Sequence, residues 1–269
     1  MLIHSGAIIQ ITSIVETSKN QFNIKGKVIS SGWEQYFQNV MLSSNTDLDL
    51  RCSFGQISAK ENMQLLKQTL IGNKCITRLH LVDNGFGLST AKDNMQLLKE
   101  ALIENKSINI LDLTGNDFGT GAKENMQFLT EALIKNKNIT TLNLSTNSFG
   151  TGNKENMKLL KEVLIENKNI TDLDLSWNHF GSVNDLEGGI SLMLMREKSS
   201  GLTDKKNMQL LKEALIENYS ITTLNLYKNG FGDPGAIEMR QLLMEILLES
   251  QLPHMTKAQM FKLLRNIFS

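Results

Sequence analysis

A nine-residue pattern, LxLxxNxFG, recurs along the chain and constrains its fold more than any other feature. Five copies start at Leu79, Leu111, Leu142, Leu173 and Leu224. A worn copy, LDLRCSFG, starts at Leu48. From Leu48 to Leu173 the interval between successive copies varies by no more than one position. A fixed period of this length indicates a solenoid, because a unit that cannot bury its own apolar face must stack on the next one.

Each repeat combines one helix with one strand. In the repeat that ends at Gly150, Met126, Leu129 and Leu133 are spaced for one face of a helix, whereas Leu142 and Leu144 alternate as in a strand. A helical crossover returns the chain to the same side, so the strands should be parallel.

Two further positions repeat with the leucines. The asparagines should satisfy backbone groups where the chain turns away from each strand, and they are Asn84, Asn116, Asn147, Asn178 and Asn229. The phenylalanines should form a buried stack and not a cofactor site, and they are Phe86, Phe118, Phe149, Phe180 and Phe231.

At these residues the chain resembles the leucine-rich repeat proteins, in particular the ribonuclease-inhibitor-like class. The segment EALIxNKxIxxLxL carries the resemblance, which covers about residues 48–232. The units of that class are a few residues shorter, and the extra residues here, around Lys123 to Met126, should lengthen the start of the helix. The resemblance implies an α/β horseshoe with a parallel inner sheet and convex helices.

The chain is expected to form one elongated domain. Residues 1–45 should be an N-terminal cap with two strands (7–15 and 22–29) and a helix (33–42), although a separate ligand domain there is the alternative. Residues 46–232 carry the repeats. Residues 233–269 should form a helical C-terminal cap, in which one helix runs from Asp233-Pro234 to about Glu249 and a second runs from Lys257 to Ile267.

The repeat interval is irregular at one place, because the distance in sequence from Leu173 to Leu224 is much longer than the others. Residues 182–203 are interpreted as a short repeat without a helix, since Leu192 precedes Leu224 by the normal interval. This interpretation gives seven inner strands. The alternatives are a surface excursion and a short helix from Asp185 to Glu197.

Composition and motifs exclude several functions. The chain has 28 basic and 28 acidic residues, which argues against nucleic-acid binding. Cys52 and Cys75 are expected to be free, mostly buried thiols, as in a reducing compartment. No secretory signal, membrane span, nucleophile–base pair or metal-ligand spacing is evident, and the Gly-Thr-Gly turns lack the full phosphate-loop pattern. No cofactor and no enzymatic activity are predicted.

Function is therefore expected on the concave face, where variable residues flank the strand leucines. The predicted partner-binding residues are Asp172, Asp174, Trp177, Met193, Met195, Arg196, Tyr227 and Lys228. Aromatic and methionine side chains within a charged rim are typical of binding hot spots. A return loop or the C-terminal cap over Met193 and Met195 is the competing interpretation.

The predicted function is a scaffold that binds a protein partner, with the chain itself a monomer. The alternative is an enzyme or an ion-dependent regulator that uses Asp112, Asp172 and Asp174 on the inner face. The Asn-, Lys- and Ile-rich units also look similar to leucine-rich repeat effectors of Legionella and related bacteria. That resemblance implies a host protein as the partner. It also implies a cytoplasmic location, with secretion into a host cell that does not use a Sec signal.

Overall fold

The computed structural model describes residues 8–18, 21–30, 32–54, 60–181, 200–232 and 236–249. The strands are β1 (Ile8–Ser18), β2 (Gln21–Ser30), β3 (Asp47–Asp49), β4 (Arg78–His80), β5 (Ile110–Asp112), β6 (Thr141–Asn143), β7 (Asp172–Asp174) and β8 (Thr223–Asn225). The helices are α1 (Gly32–Leu42), α2 (Lys60–Gly72), α3 (Lys92–Glu104), α4 (Lys123–Lys135), α5 (Lys154–Glu166), α6 (Ser200–Glu217) and α7 (Ile237–Glu249). A 3₁₀ turn, Ser89–Ala91, precedes α3.

Strands β3 to β8 form a parallel sheet in chain order, so the predicted solenoid is confirmed. The leucine at the centre of each strand pairs with the leucine of the next: Leu111 with Leu142, and Leu142 with Leu173. These leucines are buried, and the residues that flank them face outward. Helix α4 begins at Lys123, as the additional residues at the start of the helix predicted.

The predicted seventh inner strand is wrong. Leu173 pairs directly with Leu224, so β7 and β8 are neighbours and no other strand lies between them. Helix α6 already begins at Ser200 and includes the end of the proposed short repeat. The leucine spacing in residues 182–203 was misleading because a strand-like pattern does not specify which ladder a segment joins. Residues 182–199 lie outside the described part of the chain.

The asparagines after the strands link neighbouring repeats as predicted. The side-chain oxygen of Asn147 accepts hydrogen bonds from the backbone N–H groups of Asn116 and Phe118, at 3.1 and 3.2 Å. Its amide nitrogen donates to the carbonyls of Leu113 and Ser145, both at 3.0 Å. One buried side chain therefore satisfies three backbone groups that the short strands leave unpaired, and it adds a second donor to the Ser145 carbonyl, which also accepts from Gly115 N–H at 3.1 Å.

A second set of asparagines, at the helix ends, repeats this arrangement. Asn136 donates from its side chain to the carbonyl of Leu102 in the preceding repeat, at 2.6 Å. Its side-chain oxygen accepts from the N–H groups of Asn138 and Ile139. These contacts fix the turn between α4 and β6 and tie it to the neighbouring repeat.

The core is one continuous cluster along the repeats, and the phenylalanines form its predicted internal column. Phe54 of the worn copy stacks on Phe86, with the ring centroids 6.3 Å apart. Trp33 of α1 stacks on Phe54 at 6.1 Å and on Phe37 at 5.5 Å. Helix α1 therefore closes the aromatic column at the N-terminal end, where an open repeat would expose it to water.

The predicted elements of the two caps are present where the structure describes them. Strands β1 and β2 form an antiparallel hairpin, as expected from their alternation. At the other end, α7 packs on α6 and buries Met239, Leu243 and Ile246. The last predicted helix, residues 257–267, lies outside the described residues.

The cysteines differ from expectation. Cys52 and Cys75 are free, as predicted, but both are exposed. Each lies in a turn, outside the leucine core. The sequence placed them beside repeat positions but did not show that their side chains point away from the core.

Candidate functional site

The concave face is built from the outward positions of six three-residue strands. Each strand buries its central leucine and presents the residue on either side. The second outward row carries Asp49, His80, Asp112, Asn143, Asp174 and Asn225. This row is polar throughout. The first outward row includes one half-buried apolar residue, Ile110, so a large apolar contact on this face must come from the turns that follow the strands.

Trp177 supplies such a contact in the turn after β7. Its side chain is 49% exposed, and its backbone has a φ of 57°. The equivalent residues before the repeated asparagine are also left-handed, including Asp83, Gly115 and Thr146. Glycine, aspartate and asparagine tolerate this conformation, whereas it is uncommon for a bulky residue. The tryptophan is thus held on the surface at a position whose backbone disfavours it.

Tyr227 lies beside Trp177 in the next repeat. The backbone N–H of Trp177 donates to the carbonyl of Tyr227 at 3.0 Å. Tyr227 is half-buried, and the Nζ atom of Lys228 lies 5.5 Å from the centroid of its ring. The two aromatic residues and the lysine therefore come from adjacent turns at the C-terminal end of the described sheet.

Two carboxylates on β7 also belong to the predicted binding residues. Asp174 accepts from the N–H and hydroxyl of Ser176, at 2.8 and 2.6 Å, and from the side-chain amide of Asn225 at 2.8 Å. Asp172 accepts from the hydroxyl of Thr171 at 2.8 Å. These hydrogen bonds hold both carboxyl groups in fixed positions.

The structure describes five of the eight predicted partner-binding residues, which lie on β7 and in the turns after β7 and β8. Hereafter the Trp177 patch means Asp172, Asp174, Trp177, Tyr227 and Lys228. It comes from two adjacent repeats and not from three strands, because β7 pairs directly with β8. The other three predicted residues, Met193, Met195 and Arg196, lie outside the described part of the chain.

The N-terminal end of the concave face carries a separate charged group. Nε2 of His80 lies 3.3 Å from Asp47, and its Nδ1 lies 3.4 Å from Asp112. Arg51 forms a bidentate pair with Asp49, in which Nε donates to Oδ1 at 3.0 Å and a terminal nitrogen donates to Oδ2 at 2.7 Å, and the hydrogen bond from Arg51 lowers the pKa of the Asp49 carboxyl. Each carboxylate in this group thus has a basic side chain within reach.

The acidic group on which the alternative hypothesis depends, Asp112 with Asp172 and Asp174, is not brought together in the structure. Asn143 lies between Asp112 and Asp174 in register, so these two carboxylates are two strands apart, about 9.6 Å at the usual spacing. Over the described ranges, no three metal-ligating side chains are grouped closely enough to hold an ion. The sequence showed the carboxylates but not the strand that separates two of them.

The convex helices carry a row of ion pairs that the sequence reasoning missed. Helices α2, α3, α5 and α6 each contain two consecutive leucines followed by a lysine. That lysine forms an ion pair with a glutamate of the next helix: Lys67 with Glu100, Lys99 with Glu131, Lys161 with Glu213, and Lys212 with Glu245. The hydrogen bond from Lys67 lowers the pKa of Glu100, and that from Lys161 lowers the pKa of Glu213. A comparison of the repeats position by position would have revealed the row.

The strand register, the asparagine ladder and the convex helices define a leucine-rich repeat solenoid. Residues 166–183 and 217–239 match a family model described as leucine-rich repeat. The comparison with curated proteins found no significant match.

Two solved structures are similar to the chain. The leucine-rich repeat-containing protein LegL7 from Legionella pneumophila is 21% identical, with a TM-score of 0.49, over 82% of this chain and 61% of that one. The chain therefore spans about three fifths of the length of LegL7. The actin-binding site 2 of leiomodin-1 is 13% identical, with a TM-score of 0.37, over 88% of this chain and 96% of that one.

Within the ranges that the structure describes, no helix is both long enough and apolar enough to cross a membrane.

Proposed function

We propose that the chain is a non-enzymatic scaffold that binds a protein partner on its concave face, with the Trp177 patch as the centre of the contact. The observation that carries the proposal is Trp177 itself. A half-exposed tryptophan in a left-handed turn gains nothing from core packing and costs on the order of 1 kcal/mol or more in backbone strain. Binding gives a reason for its presence, because tryptophan, tyrosine and arginine are the residue types enriched in hot spots.

The surroundings of Trp177 support the same function. Asp172, Asp174 and Lys228 give the aromatic pair a charged rim, and Tyr227 offers a hydroxyl for a polar contact. The carboxylate of Asp174 is already fixed by three hydrogen bonds, so little side-chain entropy is lost when a partner pairs with it. The rim thus favours a partner that presents both an apolar side chain and a basic group.

The experiment is affinity capture from a eukaryotic cell lysate by purified variants. Trp177→Ala combined with Tyr227→Ala should leave the circular dichroism spectrum unchanged and reduce capture of the partner at least tenfold, the effect of losing about 1.4 kcal/mol or more. Tyr219→Ala is the matched control, because Tyr219 is 67% exposed but lies in the loop before β8, against Lys168. Equal capture by the double variant and the wild-type protein would remove the Trp177 patch from the interface.

We further propose that the partner is a host protein and that the chain acts as a bacterial effector in the host cytoplasm. This part of the proposal is supported by the composition of the repeats, which look similar to leucine-rich repeat effectors. A fusion to a reporter that is active only in host cytosol tests it. Signal that requires the secretion system of the bacterium supports the proposal, and signal confined to the bacterium contradicts it.

A further inference from the structure

The row of ion pairs on the convex face is interrupted once, between α4 and α5. In α2, α3, α5 and α6 the residue after the paired leucines is a lysine, whereas α4 has Thr130 at the equivalent position. Thr130 is 4% exposed, and its hydroxyl donates to the carbonyl of Met126 at 2.9 Å. It therefore bonds to its own helix and does not reach the next repeat.

This exchange leaves an open cleft in the helix layer. The cleft has a volume of about 400 Å³, and its walls include the aliphatic side chains of Ile134 and Leu159. A lysine in place of Thr130 would cross this space, as Lys99 and Lys161 do in the neighbouring repeats. The missing side chain thus accounts for both the opening and its shape.

The missing lysine also leaves a carboxylate without its counterpart. Glu162 of α5 is equivalent to Glu131 and Glu213, each of which accepts from a lysine of the preceding helix. Glu162 is exposed and borders the cleft, and among the described residues it has no ion-pair partner. Lys135 also borders the cleft, but its ammonium group is paired with Glu131 at 2.6 Å.

We propose that this cleft binds a lysine or arginine side chain of a partner protein, which completes the interrupted row of ion pairs from outside. The aliphatic stem of such a side chain packs against Ile134 and Leu159, and its charged end reaches Glu162. The chain contains its own template for the contact, because Lys161 bonds to Glu213 at 2.6 Å in the next repeat. This surface lies on the convex side, opposite the Trp177 patch, and the inference is independent of the proposed function.

The test is a titration with two short peptides, acetyl-Ala-Lys-Ala-amide and its norleucine analogue, followed by amide chemical shifts. The lysine peptide should shift the amides of Thr130 and Glu162 and should bind more tightly than the norleucine peptide, by up to about fivefold, the upper end of the effect of one exposed ion pair. Equal binding of the two peptides would overturn the proposal.

Three variants make the test specific. Thr130→Lys restores the repeat consensus and should abolish the shifts, and Glu162→Gln keeps the shape of the cleft and should remove the preference for lysine. Lys161→Thr should open a second cleft beside Glu213 and produce new shifts there. Wild-type shifts in Thr130→Lys, or no new shifts in Lys161→Thr, would show that the missing lysine does not create the site. Trp177→Ala should leave all of these results unchanged.

Discussion

Replacement of Asn147 by alanine tests whether the asparagine ladder holds neighbouring repeats together. Asn147 is completely buried, and its side chain makes four hydrogen bonds to backbone groups. In two of them it accepts from the N–H groups of Asn116 and Phe118, which lie in the preceding repeat. The alanine variant removes all four bonds without changing the leucine core.

The cost follows from the groups that are left unpaired. A buried donor without an acceptor costs about 1–3 kcal/mol, so the two N–H groups together give about 2–6 kcal/mol. The carbonyls of Leu113 and Ser145 also lose a donor, and water that enters the small void recovers part of the loss. We therefore expect the free energy of unfolding to fall by about 4 kcal/mol.

Urea denaturation followed by circular dichroism measures this change. Asn143→Ala is the matched control, because Asn143 is half-buried on the concave face and, among the described residues, its side chain accepts one hydrogen bond, from Ser145 N–H at 2.9 Å. Water can replace that bond, so the control should lose less than about 1 kcal/mol. Hydrogen exchange should also accelerate at Asn116 and Phe118 in the Asn147 variant. Equal losses of stability in the two variants would refute the reasoning.

Three other outcomes are expected. Phe149→Ala removes a fully buried ring from the aromatic column and should cost about 3–5 kcal/mol, measured by the same denaturation assay. Cys52 and Cys75 should both react with a thiol reagent in the native protein, and a thiol that reacts only after unfolding would contradict their exposure. Because Lys161 lowers the pKa of Glu213, the stability that this pair contributes is present above the ordinary value of 4.5 and is lost as the pH falls below it. In Glu213→Gln the melting temperature should therefore fall less steeply between about pH 5 and 3, and an identical slope would argue against the pair.

The repeat pattern determined most of the fold because its period, its leucines and its turn residues all require the same stacking. The parallel register, the buried phenylalanines and the bridging role of the asparagines follow from positions that recur in every regular unit. The prediction of a seventh inner strand is wrong for the opposite reason. The LxL alternation in residues 182–203 occurs once, and one short apolar alternation fits a strand in the sheet as well as a segment outside it.

The candidate sites depend more on the tertiary structure. The sequence alone indicated that Trp177, Tyr227 and Lys228 flank strand positions, and the direct pairing of β7 with β8 decided that they are neighbours. The convex cleft required both kinds of information. The sequence shows that Thr130 occupies a position where the other repeats have lysine. The structure shows which glutamate, Glu162, is left without that lysine.

What the sequence determined by itself is the solenoid, since a periodic set of buried side chains leaves one way to stack. What only the tertiary structure decided is which exposed side chains meet, including the separation of Asp112 from Asp174 by Asn143. The physical reason is that burial is repeated in every unit and so is encoded many times. A surface contact between two repeats involves residues that occur once in the sequence, and it forms only if the core places those residues close together.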